Sequence, residues 1–229
     1  MASERELSES FYGTAAGLYD WFATLEPIRE WRAHAASELD LSPGDTVVDM
    51  GCGTGANLPF LRERVGPEGR VIGVDLVGGM LEQAQMRIER NGWENVSVVQ
   101  GDATRPPIRE VDALLSTFVV GMFEHPGPVV RSWVGLVRPG GRVVLLNASR
   151  SDQLLMRPAN IAFRLFTRLT APGYQLRIAS PTRSLERRWD ASVDALFEGT
   201  VDHADARLGQ GFVVLASGRV PDGQAHPNS

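Results

Sequence analysis

The stretch Val47-Val48-Asp49-Met50-Gly51-Cys52-Gly53-Thr54-Gly55-Ala56-Asn57 constrains the fold more than any other part of the chain. Val47 and Val48 are apolar and β-branched, which suits a parallel strand covered on both faces. Gly51, Gly53 and Gly55 stand at alternate positions. There a bare backbone can turn sharply and bring its N–H groups against a ligand. A helix predicted from about Asn57 to Val65 aims its positive end at the same place. Strand, glycine turn and helix in succession predict a nucleotide-like cofactor site in an open α/β sheet. The glycine spacing alone is a weak signal, because Gly51, Gly53 and Ala56 also fit the dinucleotide pattern G-x-G-x-x-G/A.

The strands that follow sharpen the reading. A second strand, Val71 to Val74, ends at Asp75, and a third, Val96 to Val99, leads to Gly101-Asp102-Ala103. With Asp49 to Gly55 as the first motif and Asp75 and Asp102 as the second and third, the chain resembles the class I S-adenosylmethionine-dependent methyltransferases. The resemblance implies a Rossmann-like α/β sheet of seven strands, the last antiparallel, and S-adenosylmethionine as cofactor. It implies a cofactor site made by Asp49, Gly51, Cys52, Gly53, Thr54, Gly55, Asn57, Asp75, Leu76, Met80, Asp102, Ala103 and Ser116. Asp75 would hold the ribose, Asp102 the adenine side and Asp49 the ammonium end. Met80 would lie against the adenine or simply fill core.

Composition excludes several classes. The chain has 229 residues, enough for one well-buried α/β domain with a small cover. Its net charge is −5, and it has no basic run, so nucleic acid is not expected as a partner. All 23 basic residues are arginine, which we read as genome composition rather than adaptation. Cys52 is the single cysteine, so no intrachain disulfide can form. That suits a cytoplasmic protein and argues against chemistry needing several thiols, such as arsenic methylation. No His/Cys/Asp cluster has metal-ligand spacing, so no metal is expected. No apolar run is long enough to span a bilayer.

Around the motifs, residues 1–40 are predicted as a helical cover. Apolar and aromatic residues recur there at helical spacing, including Tyr12, Leu18, Tyr19, Phe22, Leu25 and Trp31, with a break near Glu26-Pro27. Residues 41–220 form the main domain. Helices are expected from Gly78 to Asn91, from about Val129 to Val137, and from about Pro181 to Phe197. Ala113 to Phe118 and Val143 to Asn147 read as the fourth and fifth strands, the latter after a turn at Arg138-Pro139-Gly140-Gly141-Arg142. Residues 150–195 read as an insertion. Its apolar, arginine-studded first half suits a lid over an apolar acceptor, packing on neighbouring helices, or contact with a membrane surface. Phe212 to Ser217 ends a β-hairpin, and residues 221–229 read as a disordered tail.

Leu18-Tyr19-Asp20-Trp21-Phe22 and the segment ending Asn147-Ala148-Ser149 resemble elements of the menaquinone and ubiquinone C-methyltransferases. That family ends the second element in Glu-x-Ser. Here asparagine replaces the glutamate and cannot serve as a base. The resemblance implies a small, lipophilic acceptor such as a quinol. Gly55-Ala56-Asn57-Leu58-Pro59 also resembles phospholipid-amine N-methyltransferases. Methyl transfer is an in-line displacement that depends mainly on positioning. A base is needed for a hydroxyl or an activated ring carbon. The candidates are Tyr19 and Asp20 in the cover, and Glu124 and His125 after the fourth strand. A nicotinamide-dependent oxidoreductase would account for the glycines but leaves Asp102 and the terminal hairpin unexplained. A non-catalytic sensor of the cofactor is a further alternative. Oligomeric state is not legible.

Overall fold

The computed structural model describes residues 26–149 and 181–222. The described elements are α1 (Glu26–Ser37), β1 (Thr46–Met50), α2 (Leu58–Val65), β2 (Arg70–Asp75), α3 (Gly78–Asn91), β3 (Val96–Gln100) and β4 (Val111–Thr117). A 3₁₀ turn, Val120–Met122, follows β4. Then come α4 (Pro126–Val134), β5 (Val137–Ala148), α5 (Pro181–Glu198), β6 (Val201–Leu208) and β7 (Val213–Arg219).

The valine-rich runs become strands because both faces of the sheet are covered. Val47, Val71, Ala113, Leu115, Val144, Leu146, Val213 and Leu215 pack on one side against α1, α2 and α3. Val48, Met50, Val74, Leu114, Val143, Leu145 and Ala216 pack on the other against α4 and α5. With neighbours pointing to opposite layers, a strand must be apolar at almost every position. Five side chains from β1 and β2 alone, Val47, Val48, Met50, Val71 and Val74, are fully buried.

The seven strands run in the order β3-β2-β1-β4-β5-β7-β6. The first five are parallel, and β7 is antiparallel to both its neighbours, β5 and β6. This is the methyltransferase-type sheet expected from the sequence. Strand order reverses between β1 and β4, and in open α/β sheets the crevice beyond the carboxyl ends at such a point takes the ligand. The glycine turn after β1 opens there. No described helix is long and apolar enough to cross a membrane.

The expected boundaries of three elements move. The helix expected over Val129–Val137 runs instead over Pro126–Val134. Proline is tolerated in a first turn, where its missing N–H has no helical partner anyway. Val137 is drawn into the sheet beside Val111. The fifth strand therefore starts at Val137, with the Arg138–Gly141 turn as an excursion within it, and pairing with β4 resumes at Ala113 and Arg142. Gly140 and Gly141 bond across to Val220, which anchors the excursion. Beta-strand four ends at Thr117, because Phe118 adopts φ 64°.

Candidate active site

The turn after β1 is folded back on β2. Gly51 and Cys52 both donate to the Val74 carbonyl, at 2.8 and 3.0 Å. Gly51 has φ 72° and Gly55 φ 78°, conformations that favour glycine. A Cβ on Gly51 would also overlap the Val119 side chain. Gly53 donates its N–H to Asp75 Oδ2 at 2.8 Å, and Val77 donates to Oδ1 at 3.0 Å. The acid that ends β2 therefore grips the glycine turn that ends β1. Burial holds the Asp75 carboxyl above the ordinary carboxylate range, against the bonds from Val77 and Gly53. With about four lone-pair sites on its two oxygens, the carboxylate keeps capacity for a further donor. Leu76 beside it is 49% exposed, an apolar surface next to the acid.

Asp49 lies deeper and is fully buried. Asn57, at the start of α2, donates Nδ2 to Asp49 Oδ1 at 2.9 Å and to Oδ2 at 3.1 Å. The same nitrogen meets Thr117 Oγ1 at 3.0 Å. Arg32 of α1 donates Nη1 to Asn57 Oδ1 at 2.8 Å and to Thr117 Oγ1 at 2.6 Å. Its guanidinium lies 5.0 Å from the centre of the Phe118 ring. Burial pushes the Asp49 carboxyl up to about 7, although the Asn57 bonds and the Arg32 charge pull it down. Four elements thus place one acid, one cation and two neutral polar groups in a single buried cluster.

The remaining expected site residues spread around this centre. Cys52 and Thr54 are buried within the turn, and burial pushes the Cys52 thiol up. Ser116 is buried and donates to the Met50 carbonyl at 3.0 Å, which ties β4 to β1. Met80 is buried in the first turn of α3. Asp102 is exposed after β3, with Oδ1 accepting from Thr104 N–H at 2.8 Å. The Ala103 carbonyl accepts from Trp133 Nε1 at 2.7 Å, fixing that loop to α4. His125 precedes α4 and is exposed, and its side chain makes no cap. Tyr19 and Asp20 lie outside the described residues, as does the first half of the 150–195 insertion.

Two polar contributors were not anticipated: Arg32 and Thr117. Arg32 sits in an amphipathic segment, where an arginine reads as surface. Thr117 reads as ordinary strand. The one available signal for Arg32 was Asp49 itself, because a buried acid calls for a partner.

This donor set fits S-adenosylmethionine. Asp75 can accept two ribose hydroxyls while keeping its backbone bonds, and a buried carboxylate such as Asp49 gains from a nearby ammonium.

Comparison with known proteins agrees. Residues 47–141 match a family model described as a methyltransferase domain. The chain is 30% identical over 144 residues to a demethylmenaquinone methyltransferase of Lactococcus lactis, covering 62% of this chain and 56% of that one. It is 32% identical over 127 residues to an arsenite methyltransferase of Halobacterium salinarum, covering 53% and 32%. The chain therefore spans about half or less of the length of these curated relatives. It shares its fold with phosphoethanolamine N-methyltransferase 2 of Haemonchus contortus, solved with S-adenosyl-L-methionine, at a TM-score of 0.69 and 14% identity over 96% of this chain and 60% of that one. Sheet order, motif order and matched domain all point one way: residues 47–141 match a methyltransferase domain, and the chain has the fold of S-adenosylmethionine-dependent methyltransferases.

Proposed function

We propose that this protein transfers a methyl group from S-adenosylmethionine to a small, apolar acceptor such as a quinol ring carbon. The observation that carries the reading is the Asp75 carboxylate, which closes the glycine turn at the end of β2 and keeps acceptor capacity for a ligand. Asp75 takes the ribose hydroxyls. Leu76 supplies an apolar surface and Asp102 a polar edge on the adenine side. Asp49 faces the ammonium end, oriented by Asn57 and balanced by Arg32. The Gly51–Gly55 backbone lies under the amino acid portion, with its Gly51, Cys52 and Gly53 N–H groups holding the turn to β2. The bound cofactor supplies an electrophilic methyl on a sulfonium. The protein's part is then to hold the acceptor in line and to take a proton where the acceptor must lose one. His125 is the proposed proton-accepting group within the described residues, and Tyr19 and Asp20 are proposed in the cover. The relative named demethylmenaquinone methyltransferase supports a quinol-like acceptor. The fold shared with a phosphoethanolamine N-methyltransferase keeps amines as the second class to screen. We place the protein in the cytoplasm.

Calorimetric titration with S-adenosylhomocysteine tests the cofactor site. The wild type should bind in the micromolar range, on the order of −8 kcal/mol. Asp75→Ala should lose about 1.5–3 kcal/mol as charge-assisted hydrogen bonds go. Tight binding of a nicotinamide dinucleotide, with none of S-adenosylhomocysteine, would overturn the reading.

A further inference from the structure

Asn147 stands next to the end of β5, paired with Val214 of β7. It is 4% exposed, and its amide nitrogen meets no hydrogen-bond acceptor among the described residues. Buried side-chain donors almost always have a partner, because an unpaired one keeps its full desolvation penalty. The neighbours explain why none is at hand. A Cβ on Gly121 would lie 3.0 Å from the Asn147 amide nitrogen and 3.1 Å from Leu185 of α5. The 3₁₀ turn after β4, the amide and the described start of the α5 side chains therefore converge on one point. The Gly121 carbonyl is engaged by Arg188 Nη1 at 2.9 Å. This point lies at the carboxyl ends of β4 and β5, on the side of the switch point away from β2 and its ribose-binding acid.

We propose that Asn147 is a specificity-determining residue that donates its amide hydrogens to an oxygen of the methyl acceptor. The acceptor is then an apolar ring bearing a carbonyl, enol or phenolic oxygen next to the methylated atom. The proposal rests on the methyl-transfer reading above. An amide N–H can only donate. An acceptor oxygen has lone pairs to spare, and negative charge that develops on it during reaction strengthens the bond. An amine acceptor has one lone pair, which is its nucleophile, so the same hydrogen bond would block it.

The test uses the full chain saturated with S-adenosylhomocysteine. It is titrated calorimetrically with 2,3-dimethyl-1,4-naphthoquinone and with 2,3-dimethylnaphthalene, the same ring system without oxygens. The wild type should bind the quinone at least tenfold more tightly. Asn147→Leu removes the amide, and Asn147→Asp keeps the shape but loses the donors. Both should reduce that preference below threefold, with S-adenosylhomocysteine affinity unchanged within twofold. A wild type without preference for the quinone overturns the proposal even if neither variant folds. A preference that survives in either variant overturns it too. Failure of the wild type to bind S-adenosylhomocysteine strikes instead at the methyl-transfer reading.

Discussion

Asp49→Asn should stabilise the ligand-free protein at high pH and weaken it as a binder. Asp49 is fully buried, and burial holds its carboxyl at about 7 in the folded state, against an ordinary value of 3.8. Between those values the folded chain keeps a proton that the unfolded chain has lost. Its contribution to stability is therefore fully present below about pH 4 and is lost as pH rises through 7. Moving from 3.8 to about 7 corresponds to ~4 kcal/mol at the high-pH end, taken as a ceiling. Asparagine has the same shape and never ionises, so the variant escapes that loss. At pH 5 the two proteins should melt within about 2 °C of each other. At pH 8.5 the variant should melt higher by roughly 4–8 °C, if half the ceiling is recovered and each kcal/mol moves Tm about 2–4 °C in a chain of this size. Calorimetric scans from pH 5 to 8.5 without ligand decide it. In parallel, S-adenosylhomocysteine should bind the variant about tenfold or more weakly at pH 7.5, because the ammonium loses its counter-charge. A variant that melts below the wild type at pH 8.5, or a Tm difference that does not change with pH, refutes the reasoning.

Gly51→Ala places a Cβ against Val119 at a residue with φ 72°, and should cost about 2–4 kcal/mol in urea unfolding. Adding Val119→Ala should recover only part of this, since the backbone strain stays; an unchanged urea midpoint for the single variant would remove the steric argument. Arg32→Met keeps the stem but strips the guanidinium from Asn57, Thr117 and Phe118. It should cost about 3–5 kcal/mol, as when one partner leaves a buried charged cluster, and should raise the apparent titration of Asp49 further. Urea midpoints measured across pH check both effects. Arg219 also pairs with two acids, Asp202 and Asp222, but at the surface. Arg219→Ala should leave the urea midpoint nearly unchanged, and a clear drop by the same assay would show that this exposed network is undervalued.

The sheet was legible because its strands carry their own signal. Val47-Val48, Val71 to Val74 and Val143 to Leu146 are apolar at successive positions, which only a doubly covered strand requires. The glycine turn was legible for the same kind of reason, since Gly51 and Gly55 occupy conformations that other residues avoid. Boundaries were less so. Pro126 reads as a stop but is admitted into the first turn of α4, and Val137 reads as helix until Val111 is known to lie beside it. The buried polar cluster was half legible. Asp49 and Asn57 stand in the motif, but Arg32 and Thr117 arrive from positions 25 and 60 residues away from Asn57. Nothing local distinguishes Arg32 from the exposed Arg29 in the same helix, because burial here is decided by partners on other elements. Asn147 stood out in the sequence only as an asparagine where the resemblance has glutamate, and its unpaired amide is a property of the packing alone.

That cluster gives α1 a chemical reason for its position. Its apolar anchors are the small, fully buried Ala35 and Ala36 and the partly buried Trp31, all on one core layer. Arg32 adds a tie that is charged, buried and directed at Asn57, the residue that holds Asp49. A cation so placed lowers the cost of ionising Asp49, and an ionised Asp49 in turn favours keeping the cation in place. By linkage the two effects are equal. The helix that covers the sheet and the buried acid of β1 are therefore energetically coupled. Any residue that replaces Arg32 without its charge must loosen the cover and neutralise the acid together.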